Sequence, residues 1–244
     1  MICGDYRCLF VHVPKTAGMS IEDVFLRLVG LTWKTRAPLL LGRNDDPRLG
    51  PPRLEHLKAG EYVAGGHLTA EQFESYFKFS FVRNPWDRMV SEYKYRGYPV
   101  KVDFKTYLFK HLPPPGWTDA YRHIIPQHDF LYDEAGRLLV DFVGRYESLQ
   151  ADFDRVCARL GIPLAPLPRV NRSLDEARPN TLRKLRKRLR RAIWSWERKH
   201  TFPDYTEYYD EESREFVGRL FRKDVESFNY AFGERVGSAA PAPS

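Results

Sequence analysis

The stretch LFVHVPKTAGMSI, residues 9–21, constrains the fold more than any other part of the chain. Its first five residues form an apolar run typical of a buried strand. Apolar residues then recur at helical spacing over residues 21–29, and Gly30 follows as the expected helix C-cap. A short loop with Lys15 and Gly18 joins the two elements. Because backbone N–H groups converge at a helix N-terminus, this strand, loop and helix unit predicts an anion site.

Two common nucleotide-binding loops are excluded by the order of these residues. A Walker A loop has the pattern GxxxxGK[ST], with lysine after the second glycine, whereas Lys15 precedes Gly18. The dinucleotide fingerprint GxGxxG is absent, since the loop holds a single glycine. Taken alone, the segment equally fits a tight turn that carries a solvated lysine.

The same unit recurs further along the chain. Residues 79–82 form a second strand-like run, with Asn84 as the expected N-cap and Pro85 at the first position of the next helix. A third strand is predicted in residues 138–145, with a helix over residues 153–160 behind it. This alternation indicates an α/β fold with a P-loop-like core, in which helices flank a mainly parallel sheet.

The remaining segments have weaker patterns. Residues 36–60 are rich in Pro, Gly, Arg and Asp without periodicity, which predicts a long surface loop or an insertion bordering the site. The C-terminal third is predicted to be helical, over residues 180–193 and 211–228. We expect one domain over residues 1–236, because 244 residues suit a single large core, and a disordered tail over residues 237–244.

The net charge and the cysteine content limit which ligands and which cellular compartment are expected. The net charge of +7 favours anionic ligands without choosing among them. Cys3, Cys8 and Cys157 lack the spacing of a structural zinc site, so we expect no metal and no disulfide, as in a reduced cytoplasmic protein. The first apolar run is far too short to span a membrane, and it lies so near Met1 that no targeting segment is expected.

Two segments together resemble the paired signature of the sulfotransferases that use 3′-phosphoadenosine 5′-phosphosulfate (PAPS). They are FVHVPKTAGMS, residues 10–20, and FSFVRNPWDRMVSEY, residues 79–93. In sequence, both segments are similar to those of the carbohydrate sulfotransferase branch, which includes the heparan sulfate 2-O-sulfotransferases. The likeness extends through GGHLTAEQF, VGRYESLQADFDRVCARLGI and YTEYYDEESREFVGRLFRKDVESFNY. It therefore covers most of the chain, except residues 36–60, residues 94–122 and the tail.

The resemblance implies how the donor would be bound. The loop around the 5′-phosphosulfate would consist of Lys15, Thr16, Ala17, Gly18, Met19 and Ser20. Lys15 would contact the bridging oxygen, where an ammonium stabilises the charge that develops as the sulfuryl group leaves. Arg83 and Ser91, eight residues apart, would bind the 3′-phosphate. The alternatives are an ion pair of Arg83 with Asp87 and a solvent-facing hydroxyl for Ser91.

The resemblance also implies a catalytic base. His67 matches the position of the catalytic histidine in the carbohydrate branch, and an imidazole is suited to take the proton of the attacking hydroxyl. Arg172 and Ser173 match a late loop that closes over the cofactor. His12 alternates with apolar residues and is interpreted as a buried structural histidine. Candidates for the acceptor site, none preferred by its spacing, are His56, His123 and His128.

The run RKLRKRLRR, residues 183–191, lies on the predicted amphipathic helix 180–193. It would bind an acidic glycan, a membrane surface or nucleic acid, of which a membrane surface would make the protein peripheral to a membrane; the alternative is a solvated helix face. The leading hypothesis is sulfuryl transfer from PAPS to a hydroxylated acceptor that releases adenosine 3′,5′-bisphosphate, with no metal and no nucleic acid expected. The expected acceptor is a saccharide or glycolipid, and the alternative acceptors are a phenol, a tyrosine or a small natural product. The alternatives are a P-loop kinase or NTPase and a non-catalytic binding protein that uses the basic helix.

Overall fold

A four-stranded sheet lies at the centre of the computed structural model, which describes residues 1–44, 46, 50–168 and 202–234. The strands are β1 (Ile2–Cys3), β2 (Cys8–Val11), β3 (Phe77–Val82) and β4 (Phe142–Arg145), in that spatial order. β1 pairs antiparallel with β2, while β2 with β3 and β3 with β4 pair in parallel. The predicted mainly parallel sheet is therefore confirmed, with an antiparallel edge strand that the sequence did not indicate.

Helices and short 3-10 turns connect and flank these strands. The α-helices are α1 (Gly18–Leu28), α2 (Glu61–Ala64), α3 (Ala70–Ser75), α4 (Pro85–Tyr95), α5 (Phe104–Lys110), α6 (Asp119–Arg122), α7 (His128–Leu131), α8 (Leu149–Leu160), α9 (Glu211–Leu220) and α10 (Arg222–Phe228). The 3-10 helices are Leu54–His56, Tyr98–Val100, Tyr146–Ser148 and Tyr205–Tyr208. None of the helices in the described ranges is long and apolar enough to cross a membrane.

The sheet is buried on both faces, as a parallel sheet usually is. Successive residues of a strand point to opposite faces, so Leu9 and Val11 join one apolar cluster while Cys8 and Phe10 join another. A third cluster surrounds Tyr93 of α4 and includes residues of α5 and α9. The carboxyl ends of β2 and β3 therefore emerge side by side from a rigid core.

The helix that follows β3 begins as the sequence predicts. The Asn84 side chain accepts a hydrogen bond from the Trp86 N–H, and Pro85 occupies the first turn. The Asn84 N–H donates to Oε1 of the buried Glu147 at 2.7 Å. This contact ties the start of α4 to the turn after β4 and fixes where α4 leaves the sheet.

Other boundaries differ from the expectations. The helix predicted over residues 211–228 is two helices, because the backbone of Phe221 leaves the helical conformation between α9 and α10. Residues 36–60 are only partly at the surface, since Leu39 and Leu40 are buried in the core. The helix predicted over residues 180–193, its basic run 183–191 and the tail 237–244 lie outside the described residues. The extent of the domain, 1–236, stays a prediction.

Candidate active site

The loop between β2 and α1 has an alternating backbone conformation. Lys15 has a φ of 70° and Ala17 a φ of 68°, both in the left-handed region, while Thr16 and Gly18 keep negative φ. Alternation of this kind turns successive N–H groups towards one concave surface, called a nest, which binds anions. The left-handed conformation costs about 1–2 kcal/mol for each residue with a Cβ. The chain therefore accepts strain at the point where the sequence predicts an anion site.

The N–H groups of this loop are unpaired. Within the described part of the chain, those of residues 15–18 donate no hydrogen bond, although Thr16 itself is fully buried. The loop is held instead by its other groups, because the Thr16 hydroxyl donates to the Val13 carbonyl at 2.9 Å and the Ser20 N–H donates to the Ala17 carbonyl at 2.9 Å. The loop is thus preorganised, with its donors at the N-terminus of an eleven-residue helix.

The Lys15 side chain crosses from the loop to α4. Its Nζ lies 3.9 Å from the ring centroid of Tyr95, at the distance of a cation–π contact. Burial lowers the pKa of Lys15 to about 8, opposed by the attraction of Glu92 and reinforced by the positive charge of Arg83 and Arg96. Lys15 is therefore mostly protonated at neutral pH, and an anion in the loop would stabilise the protonated form and raise the pKa of Lys15.

A cavity of about 450 Å³ opens beside the loop. Its lining comes from the loop and α1, from Trp33, from segment 36–60, and from residues 95 and 123. The cations of the lining are Lys15, Arg36, Arg43 and Arg53, and its carboxylates are Glu22 and Glu55. Segment 36–60 thus borders this cavity, and the excess of cations favours an anionic ligand.

Three histidines of the lining have the same hydrogen-bonding arrangement. Nδ1 of His12 lies 2.9 Å from Oε1 of Glu22, and Nδ1 of His123 lies 2.8 Å from Oε2 of Glu92. Nδ1 of His56 lies 3.1 Å from the carbonyl oxygen of His12. Since carbonyl and carboxylate oxygens only accept, each Nδ1 carries a proton and leaves Nε2 as the free nitrogen.

Burial and neighbouring charges shift the pKa values of three groups in this network, Glu92, Glu22 and His56. Burial alone would raise the pKa of Glu92, but the hydrogen bond and charge of His123, together with Arg96, hold it below its usual value. The same balance with His12 lowers the pKa of Glu22. Burial and the charges of neighbouring histidines lower the pKa of His56 well below 6.5, so that it is neutral at pH 7.

Gly18 is required by the His12 ring. A Cβ added at Gly18 would lie 2.1 Å from His12 Nε2 and 2.2 Å from His12 Cδ2. Glu22 holds that ring on one side, and His56 packs against it at a centroid distance of 4.7 Å. His12 is buried, as expected, but it also lines the cavity and sets the size limit at the start of α1.

Arg83 joins the second motif to the loop. Its NH1 donates to the Lys15 carbonyl at 3.2 Å, and its guanidinium lies 4.0 Å above the ring of Tyr146. The alternative raised from the sequence is also present, because NH2 of Arg83 lies 2.8 Å from Oδ2 of Asp87. Binding of a 3′-phosphate by Arg83 stays a prediction, as does the role of Ser91, which is half-buried on α4.

Some of the other predicted site residues lie at the cavity, and others do not. Met19 lines the cavity beside the loop, and Ser20 is buried in the first turn of α1. His67 follows Gly66, is partly exposed, and does not line the cavity that receives Lys15. Burial lowers its pKa, so it is neutral at pH 7 and able to accept a proton. Arg172 and Ser173 lie outside the described residues.

Comparison with known proteins identifies the family. The family model described as "Sulfotransferase family" matches residues 1–231. The chain belongs to the sulfotransferase family. It is 30% identical over 112 residues to an uncharacterized protein of Archaeoglobus fulgidus, which covers 43% of this chain and 83% of that protein. It is also 30% identical over 93 residues to carbohydrate sulfotransferase 10 of Danio rerio, which covers 38% of this chain but only 24% of that protein. No solved structure matches the chain.

In this sulfotransferase family member, sequence reasoning missed the acidic partners of the cavity histidines. His56 and His123 were among three candidates for the acceptor site, and both line the cavity, whereas His128 stacks on Tyr132 with a centroid distance of 4.2 Å. Glu92 and Asp119, which contact His123, had no role assigned. The spacing of Asp119 and His123, four residues apart, was the available signal, since it places both on one helix face.

Proposed function

We propose that this chain transfers a sulfuryl group from PAPS to a hydroxyl group, and that the acceptor is a saccharide or glycolipid. The observation that carries the proposal is the loop after β2, whose N–H groups at residues 15–18 are unpaired in the described part of the chain, and whose Lys15, Ala17 and Gly18 line one cavity at a helix N-terminus. Membership of the sulfotransferase family supports the reaction class. The partial similarity to a carbohydrate sulfotransferase supports the acceptor class.

The loop would hold the 5′-phosphosulfate in the manner of a P-loop. N–H groups of residues 15–18 would bind phosphate and sulfate oxygens, and the macrodipole of α1 favours their charge. Because Lys15 and Ala17 are already in the left-handed conformation, binding requires little reorganisation of the backbone. Met19 and Ser20, in the first turn of α1, would complete the contact with the donor.

Lys15 would stabilise the leaving group. In the transfer step, the acceptor oxygen forms a bond to sulfur while the bond from sulfur to the bridging oxygen breaks. The electron pair of the broken bond stays on the phosphate oxygen of adenosine 3′,5′-bisphosphate. The Lys15 ammonium, held in a partly buried site, would neutralise this developing charge, and such a contact contributes about 10²–10³ to a rate.

The proton of the acceptor hydroxyl requires a base, for which we propose His67. Its neutral imidazole suits the role. Arg83 and Ser91 would bind the 3′-phosphate, with Arg172 and Ser173 closing over the nucleotide. The guanidinium of Arg83 lies against the loop, with Nε and NH2 on Asp87 and NH1 on the Lys15 carbonyl, so the phosphate would bind the remaining N–H groups of NH1 and NH2.

Calorimetry with adenosine 3′,5′-bisphosphate and with ATP, each with and without Mg²⁺, tests the nucleotide class. We expect the bisphosphate to bind without Mg²⁺ and more tightly than ATP. Equal or tighter binding of ATP that depends on Mg²⁺ would favour a P-loop kinase or NTPase. Binding of neither nucleotide would favour a non-catalytic binding protein. Transfer of labelled sulfate from PAPS into fractions of a cell extract then identifies the acceptor.

A further inference from the structure

Three side chains with metal-binding atoms converge at one side of the cavity. Asp119 is the first residue of α6, His123 follows its last residue, and His56 ends the 3-10 helix Leu54–His56. One ring nitrogen of each histidine and one carboxylate oxygen of Asp119 all lie within 4.8 Å of one another. A tetrahedral ion with bonds of about 2.0–2.2 Å needs ligand separations of roughly 3.4 Å, so closure requires side-chain shifts of about 1 Å.

Both histidines are oriented in the way that metal ligands usually are. A ligating imidazole commonly donates its other N–H to a carboxylate or a backbone carbonyl, which fixes the tautomer and the ring. His123 donates from Nδ1 to Glu92, and His56 donates from Nδ1 to the carbonyl of His12. Within the described ranges, neither Nε2 makes a hydrogen bond. The side chains of both histidines are more than nine-tenths buried.

The carboxylate supplies an uncommitted oxygen at the same point. Oδ2 of Asp119 accepts from Arg96 at 3.2 Å, whereas Oδ1 is buried and accepts no hydrogen bond. Leaving a buried charged oxygen unpaired is costly, so such an atom indicates a missing partner. Oδ1 also lies 3.7 Å from the free Nε2 of His123.

The arginines around the cluster leave this oxygen without a hydrogen bond. In the described part of the chain, Arg53 is paired with Glu55, Arg122 with Glu61, and Arg96 with Glu92 and with Oδ2 of Asp119. Nε of Arg53 also forms a long ion pair with Oδ1 of Asp119 at 4.0 Å, which is beyond hydrogen-bonding distance. A dication at the cluster would replace this long contact and meet one carboxylate oxygen and the Nε2 atoms of the two histidines.

We propose that His56, Asp119 and His123 bind a divalent transition-metal ion, of which Zn²⁺ is the model, and leave one coordination position open. Two imidazoles and a carboxylate form a ligand set of catalytic zinc sites rather than of closed structural ones. His56 and His123 line the cavity that also receives Lys15, so the open position faces the same space. The sequence spacing connects only Asp119 and His123, because His56 comes from a segment separated from them by a strand and several helices.

Metal titration of the full chain tests this proposal. Protein treated with a chelator is titrated with Zn²⁺ by calorimetry and with Co²⁺ by visible absorption, both without nucleotide. We expect one equivalent of each ion to bind, and Co²⁺ to give the intense d–d bands of a site with few ligands. Failure of the folded chain to bind one equivalent of Zn²⁺ would overturn the proposal, and would leave nucleotide binding untouched.

Variants locate the site. We expect His123→Ala and Asp119→Asn to weaken Zn²⁺ binding at least 100-fold. We expect Glu92→Gln, which acts through His123, to weaken it about 10–100-fold. His111→Ala removes an exposed histidine outside the cluster and should bind Zn²⁺ as the wild type does. Because Asp119→Asn preserves the shape of the side chain, it tests the site even if His123→Ala fails to fold. Unchanged Zn²⁺ affinity in Asp119→Asn would place the ion elsewhere and refute the assignment.

Discussion

The closest steric constraint at the site lies between Gly18 and His12, and Gly18→Ala tests it. The added Cβ would lie 2.1 Å from His12 Nε2, whereas ordinary van der Waals contact begins at 3.4 Å. The ring or the helix start must therefore shift by about 1.3 Å. Gly18 has a negative φ, so the backbone itself is not strained by alanine and the whole effect is steric.

The loss of folding stability in Gly18→Ala depends on how firmly the His12 ring is held. His12 is bonded to Glu22 and packed against Phe10 and His56, so the strain is not relieved by a simple rotation. Overpacking of a buried site costs about 1–3 kcal/mol. For a chain of this size, that lowers the melting temperature by roughly 2–4 °C per kcal/mol. Displacement of the loop should also weaken adenosine 3′,5′-bisphosphate binding.

Unfolding in denaturant measures the loss of stability in Gly18→Ala, and a double-mutant cycle tests whether that loss comes from the clash with His12. In the His12→Ala background the ring is absent, so Gly18→Ala should cost at least about 0.5 kcal/mol less than in the wild type. Gly42→Ala is the matched control, because no atom lies within 4 Å of its added Cβ, and its effect should stay within about 0.5 kcal/mol. A Gly18→Ala variant as stable as the wild type, or the same cost with and without His12, would refute the reasoning.

Three further predictions concern the proposed reaction. The pKa of Lys15 is about 8, and an anion in the loop should raise it. Binding of the bisphosphate near pH 8.5 should therefore be accompanied by proton uptake, which calorimetry in buffers of different ionisation enthalpy measures. Binding without proton uptake would contradict the placement of Lys15. Arg83→Ala should weaken binding of adenosine 3′,5′-bisphosphate about 10–100-fold while changing binding of adenosine 5′-monophosphate little; equal losses would mean that Arg83 only supports the loop. His67→Ala should slow transfer of labelled sulfate from PAPS about 10²–10⁴-fold while leaving the affinity for the bisphosphate unchanged. Full activity of this variant would show that His67 is not the base. His111→Ala is the control and should transfer sulfate as the wild type does.

Local patterns predicted the elements that carry the loop. The strand predicted over residues 9–13 is present as Cys8–Val11, and the N-cap predicted at Asn84 is confirmed, because each depends on neighbours within a few residues. The first helix begins at Gly18, three residues before its apolar pattern starts, because its first turn faces the cavity rather than the core. Periodicity detects a helix only where one face is buried.

The opposite wall of the cavity could not be predicted, because contacts between distant segments build it. Arg36, Arg43 and Arg53 belong to a segment without periodicity, and only the folded chain brings them beside α1. The break at Phe221 has the same origin: its buried ring packs into the cluster around α4, and this tertiary contact outweighs helical continuity. Side-chain chemistry alone also does not indicate the left-handed backbone at Lys15 and Ala17, since neither residue favours it.

The strain in the loop links the two sequence motifs. Two non-glycine residues in the left-handed region cost about 2–4 kcal/mol together, so other contacts must hold the loop in place. The Thr16 hydroxyl and the Ser20 N–H supply two of them from within the first motif. A third is the Arg83 bond to the Lys15 carbonyl, which reaches the loop from the end of β3. Because the first two contacts do not involve Arg83, its removal should leave most of the loop's order intact, and a large loss confined to the bisphosphate would then report a direct contact of Arg83 with the 3′-phosphate.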